Sequence, residues 1–333
     1  MAKSAWLGVD IGGTKTRVAL CDNNLKVLED IKFKTPKNRQ EFESELTQAT
    51  RRAMKVADAE GLDISGAGVG AAGAVDRKKL ILTSAPNLPF LEGFSLGKMF
   101  HRLCHCHVAL LNDLHAALYG ELKVGKAAGY KDVIAIFIGT GIGGAVAING
   151  KLHLGVSERA GDIGHYLLHA FGPLAGSERH GILDDFASRL AIAGTAATFV
   201  AKNWAPHLLK TAGTDVRKIT SSALAESIRN RDDAIEELVR SRIRIVGIVL
   251  SNMVDFLSPE LIVLGGGLTD ELPKLVRQEV TAGIEAHGNT DAVRGLKVVT
   301  TEHKGHAVTI GAACFARDSA AKLPKQGDRL RAA

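Results

Sequence analysis

The sequence contains one local pattern twice: an apolar strand, a glycine-rich corner, and a second apolar strand that returns from it. The first corner is Asp10-Ile11-Gly12-Gly13-Thr14-Lys15, and the second is Gly139-Thr140-Gly141-Ile142-Gly143-Gly144, about 130 residues later. Two such units predict a duplicated α/β fold, in which two domains flank a cleft.

The rest of the chain supplies the elements that such a fold needs. Asp22-Asn23-Asn24 and Asn149-Gly150 are strong turn signals after the two return strands. Segment 243–257 is apolar on nearly every face, so we expect it to be buried. Apolar runs predict further strands over 66–74, 108–111 and 261–264, and periodicity predicts helices over 41–60, much of 182–256, and 307–316.

A chain of 333 residues is long enough for two domains. We predict a small N-terminal α/β domain over 1–118, which a C-terminal helix at about 307–317 joins. A large α/β domain is predicted over 119–306, and a basic, disordered tail over 318–333.

Composition argues against several classes of function. The net charge is +6, but Lys and Arg are dispersed, so we expect no nucleic-acid binding; a mildly basic surface suits polyanionic substrates such as ATP. No stretch reaches the roughly 18 apolar residues of a membrane span. A buried-strand pattern begins by Trp6, which is expected to leave no room for a signal peptide or an added N-terminal module.

The four cysteines show no spacing typical of a disulfide framework, which favours a reducing cytoplasm. Cys104-His105-Cys106-His107 has the residue types of a metal knuckle, but it leads directly into the apolar run 108–111. We predict that these residues lie on one strand, where alternate side chains point to opposite faces. Four ligands could not converge on one ion there, so we expect no metal at this segment.

Both corners have the chemistry of phosphate-binding loops. A Rossmann loop opens a helix, whereas the second corner opens a β-hairpin, which argues against nicotinamide binding. Its glycines can present backbone N–H groups to a phosphate, and Thr140 adds a hydroxyl. In the first corner, Asp10 could hold Mg²⁺ through water while Gly12, Gly13, Thr14 and Lys15 approach the β- and γ-phosphates. The alternative for each corner is a tight turn without a ligand.

The pair Asn112-Asp113 directly follows the predicted strand over 108–111. A carboxylate at this position, facing a cleft between two phosphate loops, is placed to accept a proton from the hydroxyl group of a substrate. The alternative is an N-cap for the helix that starts at Leu114, because Asp is favoured there.

Together these motifs resemble the ROK family of sugar kinases, in the actin-like ATPase superfamily, over roughly residues 5–316. The two corners are similar to the family's phosphate motifs. Segment 258–267, which ends in Gly265-Gly266-Gly267, is similar to its adenosine motif, so we expect a side chain at Gly266 to intrude on adenosine. Asn112-Asp113 matches the pair that binds the sugar and removes its hydroxyl proton.

The resemblance implies further sugar contacts, because segments 70–76, 84–88 and 161–165 are similar to sugar-binding segments of the family. Ala72 stands where the family has a proline. Asp162 and Asp184 stand where the family has glutamate, whose side chain is one methylene longer. The sugar pocket therefore need not have the family's usual size or sugar preference. The residues implied to bind the sugar are Gly73, Asn87, Asn112, Asp113, Asp162, His165 and Asp184.

The family's zinc knuckle is missing, because residues 172–183 contain no cysteine. We therefore expect no structural zinc. A carboxylate or backbone carbonyl should hold the ring of His165 instead, and Leu174, Ile182 and Leu183 should order the loop. The alternative for His165 is a core histidine with its polar atoms satisfied, and His169 and His180 are expected at the surface.

The resemblance implies ATP-dependent phosphorylation of a hexose hydroxyl, with Mg²⁺ and without zinc, and with domain closure expelling water. The first candidate is glucose phosphorylated at O6; N-acetylglucosamine, N-acetylmannosamine, fructose and mannose follow. Polyphosphate is an alternative donor. A sugar-sensing repressor would carry an N-terminal helix-turn-helix, and a non-catalytic sugar-binding protein would not need Asp113. We expect a cytoplasmic homodimer.

Overall fold

The structure is a computed structural model that describes residues 3–169 and 181–322. The chain divides into two compact units. The first contains the residues up to Ala128, Leu154–Arg159 and the chain from His306 onward, and the second contains Gly129–His153 and Ala160–Gly305.

The described ranges of the chain contain both strands and helices. The strands are β1 Lys3–Ile11, β2 Lys15–Asp22, β3 Val27–Lys34, β4 Leu62–Ala71, β5 Ala74–Asp76, β6 Ile81–Ser84, β7 His107–Asn112, β8 Val133–Ile138, β9 Ile142–Ile148, β10 Lys151–His153, β11 Leu261–Gly265 and β12 Lys297–Thr300. The helices are α1 Arg39–Ala59, α2 Leu96–Cys104, α3 Asp113–Val124, α4 Leu183–Ala187, α5 Arg189–Ala201, α6 Pro206–Thr211, α7 Ser221–Arg229, α8 Asp233–Leu257, α9 Gly267–Glu271, α10 Pro273–His287, α11 Thr290–Val293 and α12 Ala307–Ala320.

Two five-stranded sheets in the described residues have the same topology. Their strand orders are β3-β2-β1-β4-β7 and β10-β9-β8-β11-β12. In each sheet the central strand, β1 or β8, pairs antiparallel with the strand that follows its glycine corner and parallel with the strand on its other side. The predicted duplication of the strand, corner and strand unit is therefore confirmed.

The last helix of the described chain packs directly on the first sheet. Gly8 and Gly68 face it from the neighbouring parallel strands β1 and β4. A Cβ at Gly8 would fall on the carbonyl oxygen of Thr309, and a Cβ at Gly68 on that of Ala312, both in α12. The absence of a side chain at these two glycine positions allows the helix backbone to approach the sheet closely.

The second unit buries its largest apolar cluster between the second sheet and the helices around α8. Ile134, Ile262 and Val246 are members of this cluster. The prediction that segment 243–257 is buried on nearly every face is wrong, because Arg244, Asn252, Asp255 and Phe256 are exposed, Phe256 to 83%. None of the helices in the described part of the chain combines the length and apolar character needed to cross a bilayer.

Candidate active site

The carboxyl ends of parallel strands bring Asp10 and Asp113 to one edge of the first sheet. Asp10 pairs with Gly70 across β1 and β4, and Gly70 pairs with Leu111 across β4 and β7. Asp113 follows β7 and begins α3, and a Cβ at Gly70 would lie 3.4 Å from its Cα. This edge is where parallel α/β sheets place their ligand sites.

Both carboxyl groups hold protons more tightly than an aspartate in water. Burial raises the pKa of Asp10 to about 7, the negative charge of Asp113 adds to this, and the cations of Arg17 and Lys32 oppose it. Burial also raises the pKa of Asp113 to about 6, against hydrogen bonds from backbone N–H groups and from the Asn112 side chain. A carboxylate with a pKa near 6 can accept a proton near neutral pH.

Asn112, not Asp113, is the N-cap of α3. Its Oδ1 accepts hydrogen bonds from the N–H of Leu114 at 3.0 Å and of His115 at 3.3 Å. Its Nδ2 donates to the carbonyl oxygen of Gly73 at 3.0 Å. The alternative of Asp113 as the N-cap is therefore wrong, and Asn112 connects the Gly73 loop to the start of α3.

The first glycine corner is held by Thr35, a residue that no sequence motif indicated. The N–H of Gly12 donates to the carbonyl oxygen of Lys15 at 3.1 Å. Thr35 donates from its hydroxyl to the carbonyl oxygen of Gly12 at 2.7 Å and from its N–H to that of Thr14 at 3.0 Å. The hydroxyls of Thr35 and Thr16 lie 2.9 Å apart. The side chains of Thr14 and Lys15 are exposed.

Asn87 lies against this corner. A Cβ at Gly13 would be 2.9 Å from the Cβ of Asn87. The turn that carries Asn87 is fixed by Ala85, whose N–H donates to Oε1 of Glu92 at 2.7 Å and whose carbonyl oxygen accepts from Leu88 at 2.8 Å. The first unit thus brings together six predicted positions of the site: Asp10, Gly12, Gly13, Asn87, Asn112 and Asp113.

Asp184 lies against the second corner. Its Oδ1 accepts a hydrogen bond from the N–H of Ile142. A Cβ at Gly141 would lie 3.1 Å from Oδ2 of Asp184, and a Cβ at Gly164 would lie 2.9 Å from Oδ1. Burial raises the pKa of Asp184, while the Ile142 N–H and the nearby His165 act in the opposite direction. The second unit therefore joins the corner, segment 161–165 and Asp184.

His165 has the carboxylate partner that the sequence predicted. Its Nδ1 lies 3.0 Å from Oδ1 of Asp162. Both side chains are 46% exposed, so the alternative of a core histidine is wrong. Because Asp162 engages Nδ1, Nε2 is the ring nitrogen available to a ligand.

The loop after His165 is described only in part. Leu183 is buried in the core of the second unit and Ile182 is partly buried, and the N–H of Leu183 donates to the carbonyl oxygen of Tyr166 at 2.9 Å. Their role in ordering the loop stays a prediction. His169 is exposed. Leu174 and His180 lie outside the described residues. Among residues 3–169 and 181–322, no group of three or more His, Cys, Asp or Glu side chains is arranged to hold a metal.

Segment Gly265-Gly266-Gly267 lies beside the second corner, because β8 and β11 are parallel neighbours and Gly265 pairs with Phe137. Gly266 has φ +90°, and its Cβ would lie 2.6 Å from the backbone of Ile138. A side chain at Gly266 would therefore meet the protein backbone first, and its expected effect on adenosine stays a prediction. A substitution there would strain the backbone at the end of β8, whatever is bound.

Arg189 is a second residue that no sequence motif indicated. It is the first residue of α5, and its N–H donates to the carbonyl oxygen of Gly139 at 2.9 Å. Its Nη2 donates to Oγ1 of Thr140 at 3.2 Å, and its Nη1 to the carbonyl oxygen of Ile219 at 3.4 Å. A cation therefore contacts the second corner directly.

The segment of alternating cysteine and histidine does not lie on one strand. Cys104 ends α2, His105 has left-handed backbone with φ +49°, and β7 begins only at His107. A hydrogen bond between the thiols of Cys104 and Cys106 lowers the pKa of Cys106 and raises that of Cys104. The prediction of a single strand is wrong because the left-handed residue turns the chain between helix and strand.

The arrangement of two glycine corners in a duplicated fold agrees with the comparisons to known proteins. The model of the ROK family matches residues 6–319. The chain belongs to the ROK family. The chain is 29% identical over 267 residues to a glucokinase of Streptomyces coelicolor, covering 80% of this chain and 82% of that protein. An N-acetylgalactosamine kinase, AgaK of Shewanella sp., is 26% identical over 322 residues, covering 92% and 98%.

The fold has a close solved counterpart. The crystal structure of a ROK family glucokinase from Streptomyces griseus, in complex with glucose and AMPPNP, matches with a TM-score of 0.81 and 28% identity. The match covers 95% of this chain and all of that one. The predicted family and the actin-like ATPase fold are confirmed, and the chain is a ROK sugar kinase.

Proposed function

We propose that this ROK sugar kinase transfers the γ-phosphoryl group of ATP to a hexose, and that its preferred acceptor is O6 of glucose. The observation that carries the proposal is Asp113, a carboxyl group of raised pKa that shares a sheet edge with Asp10 and the first corner. The likeness to the Streptomyces griseus glucokinase supports both glucose and an ATP-type donor.

In the proposed mechanism Asp113 is the base. Its carboxylate accepts the proton of the sugar hydroxyl as the hydroxyl oxygen bonds to the γ-phosphorus, the bond from that phosphorus to the bridging oxygen breaks, and ADP leaves. The capping bonds of Asn112 fix the start of α3 and hence the position of Asp113. We assign the orientation of the sugar to Gly73, Asn87, Asn112, Asp162, His165 and Asp184. Phosphoryl transfer depends mainly on such positioning.

The corners fit the donor. Of the residues that the structure describes, a Cβ at Gly139 would meet only the carbonyl oxygen of Gly141, at 3.8 Å, so this part of the protein does not need a glycine there. Space beside an exposed backbone corner is what a phosphate requires. We assign the phosphates of ATP to the first and second corners and the adenosine to Gly265, Gly266 and Gly267.

Asp10 fits a magnesium site. Its carboxylate is destabilised by burial and by the charge of Asp113, so a nearby cation would favour the ionised form. Carboxylate oxygens are ligands that Mg²⁺ accepts, directly or through water. When bound with ATP, the ion neutralises charge on the β- and γ-phosphates. We assign its protein contact to Asp10.

A second acceptor class is an N-acetylhexosamine. The observation that favours it is the match to AgaK, which covers nearly all of both chains. The proposal is tested by measuring kcat/KM for a panel of sugars, each with ATP or polyphosphate as donor. The panel contains glucose, N-acetylglucosamine, N-acetylmannosamine, N-acetylgalactosamine, fructose and mannose. We expect the highest kcat/KM for glucose with ATP. A higher kcat/KM for an N-acetylhexosamine would overturn the assignment of glucose but leave the assignment as a sugar kinase in place.

The homodimer, the cytoplasmic location and the predicted domain boundaries stay predictions.

Gly139→Val is expected to raise the KM for ATP about tenfold or more. Its side chain would occupy the space that we assign to phosphate and would weaken charged hydrogen bonds there. Because a Cβ at this position makes no close contact with the described residues, we expect the unfolding temperature to change little. Steady-state kinetics with each substrate varied in turn measures the effect. An unchanged KM for ATP, or an equal rise in the KM for sugar, would contradict this use of the corner.

Asp10→Asn is expected to abolish most activity and yet to stabilise the protein at pH 8. The folded pKa of Asp10 is about 7, above its ordinary value of 3.8, so folding favours the protonated form. The contribution of Asp10 to the free energy of unfolding is fully present below about pH 4 and is lost as the pH rises through about 7. Asparagine stays neutral at every pH. The free energy of unfolding of the variant should therefore exceed that of wild type by on the order of 2–4 kcal/mol at pH 8 and by almost nothing at pH 4.

Urea unfolding at both pH values, without Mg²⁺ or nucleotide, measures this difference. Asp63→Asn, at an exposed position of β4, is the matched control and should show no such gain. A variant at Asp10 that is no more stable than wild type at pH 8 would argue against a destabilised carboxylate.

A further inference from the structure

The guanidinium of Arg189 is a partly buried cation without an acidic partner among the described residues. Its side-chain hydrogen bonds go to neutral acceptors, Oγ1 of Thr140 at 3.2 Å and the carbonyl oxygen of Ile219 at 3.4 Å. Burial lowers the pKa of Arg189, and no carboxylate within the described ranges opposes the effect. Burying an unpaired charge is costly, so such a group is well suited to receive an anion.

The guanidinium is fixed to the second corner through the helix that carries it. The N–H of Arg189 donates to the carbonyl oxygen of Gly139 at 2.9 Å, and the N–H of Leu190 to that of Thr140 at 3.4 Å. Ser188 caps α5 by accepting from the N–H of Ala191 at 3.2 Å. The corner and the start of a 13-residue helix therefore form one rigid group.

Arginine at this place has the right hydrogen-bonding capacity for a phosphate. A guanidinium has five N–H donors, and the bonds to Thr140 and Ile219 occupy only part of them. Its planar fork matches the spacing of phosphate oxygens, and the charge strengthens each bond.

We infer that Arg189 is a phosphate-contacting residue of the second corner, which binds the phosphate chain of the donor together with the hydroxyl of Thr140. The inference rests on the proposed function, which assigns this corner to the donor. The ligand class is a phosphoanhydride chain, which ATP and inorganic tripolyphosphate share.

A purely structural role makes different predictions. If Arg189 only tied the corner to the carbonyl of Ile219, its loss would lower the stability of the protein and weaken all ligands alike. A phosphate contact affects only ligands that carry phosphates, and a lysine, which keeps the charge, should restore part of the affinity.

Equilibrium binding by calorimetry with ATP, inorganic tripolyphosphate, adenosine and glucose separates the two roles. We expect Arg189→Gln to weaken the binding of ATP and of tripolyphosphate about tenfold or more and to leave the affinities for adenosine and glucose unchanged. Arg189→Lys should lose less affinity for the two phosphate ligands. Arg217→Gln is the control for charge, because Arg217 is exposed in the same unit and pairs with Asp215; it should bind all four ligands as wild type does.

The inference is overturned if Arg189→Gln binds ATP and tripolyphosphate as tightly as wild type does. It is also overturned if the variant loses as much affinity for adenosine or glucose as for the phosphate ligands, or if wild type binds neither phosphate ligand. Should Arg189→Gln fail to fold, Arg189→Lys and Thr140→Val provide the same comparison. Weaker binding of tripolyphosphate alone would assign the contact to inorganic polyphosphate. If wild type binds ATP through Arg189 but phosphorylates no hexose, the proposed function fails and the assignment of Arg189 stands.

Discussion

Asp113→Asn is expected to lower kcat by at least about a hundredfold while the protein stays folded. The amide cannot accept the proton of the sugar hydroxyl, and general-base catalysis contributes about 10²–10⁴-fold. The helix start should survive, because Asn112 rather than Asp113 caps α3. Initial rates at saturating sugar and ATP, with unfolding temperature and circular dichroism on the same sample, measure the effect.

Two comparisons make this result specific. The affinities for sugar and ATP should change far less than kcat, which distinguishes a base from a binding residue. Asp63→Asn removes an exposed carboxylate from the same unit and should leave turnover unchanged. Turnover of folded Asp113→Asn within about threefold of wild type would remove Asp113 from the mechanism.

Gly68→Ala is expected to destabilise the protein by about 3 kcal/mol or more, or to prevent folding. A Cβ at this strand position would fall on the carbonyl oxygen of Ala312 in α12. Since a helix backbone cannot rotate away as a side chain can, the helix would have to move off the sheet. The free energy of unfolding from urea titration, or the soluble yield, measures the change.

Gly194→Ala is the matched control. Gly194 lies inside α5, and a Cβ at this position would meet nothing within 4 Å. Alanine is a better helix former there, so this variant should gain up to about 1 kcal/mol. Equal effects of the two substitutions would contradict the direct packing of α12 on the first sheet.

The sequence was sufficient for the features that depend on local pattern. Both glycine corners, the strands around them and the position of Asp113 follow from short apolar runs and glycine spacing. The carboxylate partner of His165 was also predictable, because a ring without a metal needs another group to orient it, and Asp162 lies only three residues away.

The features that were missed depend on contacts between ordinary residues far apart in the chain. Thr35 holds a corner 23 residues earlier, and Arg189 contacts Thr140 from 49 residues later. No composition or periodicity marks such a threonine or arginine. The segment from Cys104 to His107 was misjudged because the left-handed turn at His105 is not apparent from residue types.

The central claim, phosphoryl transfer from ATP to a hexose, is tested most directly by following the phosphorus atom itself. The enzyme is incubated with glucose, Mg²⁺ and ATP labelled on its γ-phosphorus, and the products are separated. We expect the label in glucose 6-phosphate, with one ADP formed for each sugar phosphate. Label that stays in ATP, or that appears only as inorganic phosphate with every sugar of the panel, would contradict the proposed function.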